Sequence, residues 1–124
     1  MRNAGSVAII DDDEELRLSL GRLMRAYGIE AKLFESADAF LASGQSHFDC
    51  VIADVHMPLM SGIELYRHLL YAEQAIPTIL VTAYPNEDDR AEALNEGVVC
   101  YLPKPIDERI LKRCLREALG SDQA

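Results

Sequence analysis

The sequence predicts a doubly wound α/β domain. Three observations carry this. Five short apolar runs alternate with five segments that have helical periodicity or helix-capping chemistry. Two of the runs, Cys50-Val51-Ile52-Ala53 and Thr78-Ile79-Leu80-Val81, are nearly unbroken, as strands buried on both faces of a parallel sheet require. The length, 124 residues, suits one such domain with a core of its own.

The elements follow in order. Val7-Ala8-Ile9-Ile10 is the first strand, stopped by Asp11-Asp12-Asp13. Leu16, Leu20, Leu23, Met24 and Tyr27 then recur at helical spacing, and Gly28 stops the helix. Residues Ile29 to Phe34 form a second strand. Ser36 caps a short helix holding Phe40 and Leu41, which ends near Gly44. After the third strand, Cys50 to Ala53, Ser61-Gly62-Ile63-Glu64 is a capping box that opens a helix through about Tyr71. Thr78 to Val81 is the fourth strand. Asn86 with Glu87, Asp88 and Asp89 caps and charges the next helix, which Gly97 ends. Val98 to Leu102 is the fifth strand. Asp107 caps a last helix with Ile110, Leu111, Cys114, Leu115, Ala118 and Leu119 on one face. Right-handed crossovers then give a flavodoxin-like (βα)5 sheet of order 2-1-3-4-5, whose site lies at the carboxyl ends of strands 1 and 3.

Composition narrows the function. Hydrophobic residues are 49% and charged residues 27%, an ordinary globular balance. The net charge of −9 argues against DNA, RNA or an anionic membrane as a direct partner, because phosphate binding needs clustered Lys and Arg. No apolar stretch reaches the ~20 residues of a bilayer span. The first residues, Met1-Arg2-Asn3-Ala4-Gly5-Ser6, lead into too short an apolar run for a secretory signal. Cys50, Cys100 and Cys114 are odd in number, lack a C-x-x-C and lie in apolar segments. They are expected to be buried free thiols in a reducing cytoplasm.

The strand ends carry the chemistry. Asp11 and Asp12 follow strand 1, Asp54 follows strand 3, Thr82 ends strand 4, and Lys104 stands between Pro103 and Pro105 after strand 5. Converging carboxylates repel one another unless a cation joins them, and Mg²⁺ is the hard divalent cation that one or two carboxylates hold. Asp13 reads as a helix N-cap. The two prolines stiffen the chain around one ammonium. Acids for a metal, one further acid, a hydroxyl and a fixed ammonium make a phosphoryl-transfer site. With no Ser, Cys or His at a comparable strand end, the nucleophile is a carboxylate, and Asp54 is the central one.

At these residues the chain resembles the receiver domain of two-component response regulators, from about Val7 to Leu119. The matching pieces are Ile10-Asp11-Asp12, Asp54 with Met57-Pro58 and Ser61-Gly62, Thr82-Ala83, and Lys104-Pro105. The resemblance implies that Asp54 is the phosphoacceptor for a sensor histidine kinase. It implies that Asp11, Asp12, Asp54 and the backbone carbonyl of His56 hold Mg²⁺, with Mn²⁺ able to substitute. It implies that Thr82 bonds the phosphoryl oxygen, that Lys104 pairs with it, and that the Lys104-Pro105 peptide is cis. Tyr101 matches the aromatic switch position and would turn inward as Thr82 moves. His56 and Tyr84 stand two residues after Asp54 and Thr82, where side chains tune phosphoryl lifetime.

The implied product is a switch, not a turnover enzyme. It assists its own phosphorylation and dephosphorylation. Its output face is the fourth helix, fifth strand and fifth helix. The stretches Leu33 to Leu41 and Met57 to Leu65 resemble the subgroup with helix-turn-helix output domains, which points to transcription and to phosphorylation-dependent dimers. The sequence reads as a single receiver domain over residues 1–124, with a core of about 7–119 and only a polar tail, Gly120 to Ala124, after the last helix. Two alternatives stand beside this reading. One is a stand-alone regulator that docks on a downstream protein. The other is an aspartyl-phosphate hydrolase of the haloacid dehalogenase type, with Asp11 as nucleophile and Asp13 as acid, which would leave Asp54 idle.

Overall fold

The computed structural model describes residues 5–44 and 48–120. The expectations placed on Met1 to Ala4 and on Ser121 to Ala124 lie outside the described residues. The elements alternate as β1 (Ser6–Ile10), α1 (Glu14–Ala26), β2 (Glu30–Phe34), α2 (Ala37–Ala42), β3 (Cys50–Asp54), α3 (Gly62–Tyr71), β4 (Thr78–Thr82), α4 (Glu87–Glu96), β5 (Cys100–Pro103) and α5 (Glu108–Ala118). The five strands form one parallel sheet of order β2-β1-β3-β4-β5, as the alternation predicts.

Helix starts follow from side-chain capping. Asp13, Ser36, Asn86 and Asp107 each accept backbone N–H groups of the first turn that follows them. Ser61 and Glu64 form the reciprocal capping box that the sequence predicts. Gly97 closes α4 in the left-handed conformation at φ 115°. The Val98 N–H still bonds the Ala93 carbonyl as part of that cap, so β5 begins at Cys100 rather than at Val98.

Strand alternation divides the core into two layers. Ala8, Ile10, Val51, Ala53, Leu80 and Tyr101 pack toward Phe40, Leu65, Tyr66, Leu69 and Ala93 of α2, α3 and α4. Val7, Ile9, Ile52, Ile79 and Val81 pack toward Leu20 and Met24 of α1 and Leu111 and Leu115 of α5. β3 and β4 are buried at every position, since helices cover both faces. Ile110 departs from expectation and stands exposed, because the buried stripe of α5 runs through Leu111, Cys114 and Leu115.

The cysteines require a correction. Cys50 is a buried free thiol, but Cys100 and Cys114 form a disulfide. Cys100 faces the layer covered by α5, and Cys114 lies on the buried stripe of that helix. Their Cα atoms are 6.3 Å apart, within reach of one bridge.

Candidate functional site

Strand register assembles the site. Ile10 pairs with Ala53, so Asp11 continues level with Asp54. Asp54 pairs with Val81, one residue before Thr82. Thr82 in turn pairs with Pro103, and the Lys104 N–H donates to the Thr82 carbonyl at 2.8 Å. Four strands thus deliver Asp11, Asp54, Thr82 and Lys104 to one edge of the sheet.

Asp11, Asp54 and Thr82 are buried, whereas Asp12 is exposed at the rim. Oxygens of Asp11, Asp12 and Asp54 come within 4.8 Å of one another. The Lys104 ammonium bridges the two buried acids, 3.3 Å from Asp54 Oδ1 and 3.4 Å from Asp11 Oδ2. Burial raises the carboxyl pKa of both acids above the ordinary value. For Asp11, a hydrogen bond from the Asp13 backbone and the charge of Lys104 oppose the rise, while the charge of Asp54 adds to it. For Asp54, Lys104 and the backbone of His56 oppose it, while Asp12 adds to it. One ammonium therefore leaves negative charge in excess. An all-oxygen donor set that crowded fits a hard divalent cation such as Mg²⁺.

The remaining expected residues fall around this cluster. The Lys104-Pro105 peptide is cis. The Thr82 hydroxyl accepts the Tyr84 N–H at 3.0 Å. Tyr101 is already buried in this structure, and its hydroxyl accepts the Asn86 N–H at 3.3 Å. His56 and Tyr84 are both exposed and meet edge to face, with ring centroids 5.5 Å apart.

Two further residues shape the site. Arg17, one turn into α1, donates from Nη1 to the Asp11 carbonyl at 2.7 Å and so braces the turn after β1. A helix-face arginine carries no sequence signal of a partner six residues back. Gly62 is fixed by packing as well as by its place in the capping box. A Cβ there would stand 2.5 Å from the Asp54 carbonyl oxygen and 3.0 Å from the Leu80 side chain. The start of α3 can approach the end of β3 only because position 62 has no side chain.

The profile of the response regulator receiver domain matches residues 7–116. The chain belongs to the response regulator receiver family. It is 33% identical over 120 residues to the transcriptional regulatory protein FixJ of Bradyrhizobium diazoefficiens, covering 96% of this chain and 58% of that protein. It is 35% identical over 114 residues to the response regulator protein TmoT of Ectopseudomonas mendocina, covering 91% of this chain and 52% of that one. The receiver chain thus spans about half the length of these relatives. Among solved structures, FixJ-N superposes with a TM-score of 0.85 at 31% identity, covering 97% of this receiver and 96% of that chain. A receiver protein from Burkholderia phymatum superposes with a TM-score of 0.80 at 38% identity, covering 94% and 95%. Membership in this family replaces the dehalogenase alternative.

Proposed function

We propose that this receiver is a phosphoryl-accepting switch, with Asp54 as the acceptor of a phosphoryl group from a histidine of a sensor kinase. The observation that carries this is the Asp54 carboxylate at the end of β3, held against Lys104 and crowded by Asp11 and Asp12. An oxygen of Asp54 attacks phosphorus. The P–N bond to the donor imidazole breaks, and the imidazole keeps that electron pair and takes up a proton.

Asp11, Asp12, Asp54 and the His56 carbonyl are the groups that would hold Mg²⁺ or Mn²⁺, which supplies positive charge to the phosphoryl oxygens. Lys104 offers a second cation already aimed at Asp54. Thr82 accepts from the Tyr84 amide through its oxygen, so its hydroxyl proton remains to donate to a phosphoryl oxygen. A phosphoryl group adds about −1.5 to −2 charges and three acceptor oxygens, which draw Lys104 and Thr82 toward it. His56 and Tyr84, edge to face at the rim, govern how water reaches the phosphoryl group.

The switch runs from Thr82 along residues 83–86 to Asn86, which is bonded to Tyr101. Movement of Thr82 therefore reaches the face of α4, β5 and α5, and biases an equilibrium between two arrangements of it. We assign to that face the control of homodimerisation or of an output domain in transcription, in the cytoplasm. The relatives named as transcriptional regulators support this. At −9 net charge, the receiver itself is not a nucleic-acid-binding or membrane-binding surface. Its chemistry is phosphoryl acceptance and self-assisted loss, not turnover of a free substrate.

The test is intact mass after incubation with acetyl phosphate. A gain of one phosphoryl group that needs Mg²⁺ and disappears in Asp54→Asn supports the proposal. A gain that persists in Asp54→Asn, or no gain with any donor kinase, contradicts it.

A further inference from the structure

We propose that Cys100 and Cys114 are a reversible redox modification site, a dithiol that closes to an intramolecular disulfide and clasps α5 to β5. The structure brings together two residues 14 apart in sequence, one on an edge strand and one on the last helix. Cys100 is half-buried on the edge strand, while Cys114 is buried on α5, so Cys100 is the more accessible of the two. That arrangement separates an attacking thiol from a resolving one. Cys50 is excluded from the chemistry. It lies fully buried in the middle of the sheet, and burial pushes its thiol up to about 12, so it is not available as a thiolate.

The step is an exchange with a low-molecular-weight disulfide such as glutathione disulfide. The Cys100 thiolate attacks one sulfur of glutathione disulfide and expels one glutathione thiolate. The Cys114 sulfur then attacks the Cys100 sulfur of the mixed disulfide and expels the second. Two protein thiols are oxidised, one glutathione disulfide is reduced to two glutathione molecules, and the two thiol protons pass to the leaving thiolates. Reduced glutathione reverses each step.

The location gives the clasp a consequence. Cys100 immediately precedes Tyr101, and the two side chains face opposite layers of the core. The bond therefore ties β5 to α5 on one face of the sheet, while Tyr101 meets the loop before α4 on the other. Closure restrains α5 whatever the state of Asp54, so this inference stands apart from the phosphoryl reading.

The test equilibrates the full chain at graded ratios of reduced to oxidised glutathione, quenches with acid, unfolds it and counts thiols by alkylation and intact mass. The expected oxidised form is monomeric, lighter by two thiol hydrogens, and takes one alkyl group where the reduced form takes three. Cys100→Ser and Cys114→Ser each remove this form. Amide exchange over Glu108–Ala118 should slow on oxidation and recover with reduced glutathione. Three alkyl groups at every ratio, a stable glutathione adduct without ring closure, a cross-linked dimer, or α5 exchange indifferent to oxidation would each overturn the proposal. The first and last readouts use the unaltered chain, so a variant that fails to fold does not decide the matter.

Discussion

The Lys104 ammonium lies 3.3 Å from the Asp54 carboxylate, although 93 positions separate it from Asp11, the other acid it pairs with. This single cation, offered from the turn after β5, offsets two buried acids from β1 and β3. Removing it leaves both carboxylates with backbone hydrogen bonds but no compensating charge. Lys104→Met is expected to cost roughly 2 kcal/mol of stability without Mg²⁺, less than the ~3–5 kcal/mol of a fully enclosed pair because the lysine is partly exposed. Thermal unfolding with and without Mg²⁺ checks this, and the deficit should shrink when the metal is present.

The same crowding sets a pH dependence. Burial raises Asp11 and Asp54 from the ordinary value of 3.8 in the folded chain. A raised folded pKa means that the native state binds more protons than the unfolded state in that window. The associated stability is complete below the unfolded pKa and is lost as pH rises through the folded one. Stability of the metal-free protein from these two groups therefore falls on raising the pH, and Asp54→Asn should flatten that fall. Denaturant midpoints across acidic to neutral pH measure it.

Gly62, the first residue of α3, has no room for a side chain. Gly62→Ala is expected to destabilise by about 1–3 kcal/mol, because the added Cβ meets backbone at the Asp54 carbonyl rather than a flexible side chain. It should also weaken Mg²⁺ binding, read by titration calorimetry, since Asp54 must shift to make room. An Ala substitution at Gly28, which has open space around it, lacks that second effect.

Helix α4 rests on polar ties more than on apolar packing. Only Ala93 is buried on it. Arg67 of α3 grips Glu96 with two hydrogen bonds of 2.7 and 2.9 Å, and Tyr66 donates to the Glu96 carbonyl at 3.1 Å. The pair is partly exposed, so Arg67→Met should cost only about 1 kcal/mol or less in global stability. Hydrogen exchange should speed up across Glu87–Glu96 far more than in β3 or β4. A uniform change over the chain would show that the tie holds nothing local.

Much of this was legible in the sequence, for physical reasons. Apolar runs that end in Asp11, Asp54 and Thr82 mark both the strands and their chemically active ends, because a parallel sheet buries its strands and opens at their carboxyl edge. Capping residues located helix starts even for α4, whose face is too polar for periodicity to find. What stayed hidden depends on contacts between elements. Cys100 and Cys114 meet only because α5 lies against one face of β5, and no spacing rule states that. The bond between the Tyr101 hydroxyl and the Asn86 N–H depends on how the loop before α4 returns to β5. The bracing of Asp11 by Arg17 depends on how α1 leaves β1.

The most direct test of the central claim locates the acyl phosphate. The Mg²⁺-loaded protein is treated with acetyl phosphate, trapped by borohydride reduction of the acyl phosphate to an alcohol, digested and sequenced by mass spectrometry. The account predicts the reduced residue at Asp54 alone, in a yield that falls away when Mg²⁺ is chelated. Reduction at Asp11 or Asp12, or none at Asp54 under conditions that phosphorylate the chain, would contradict it.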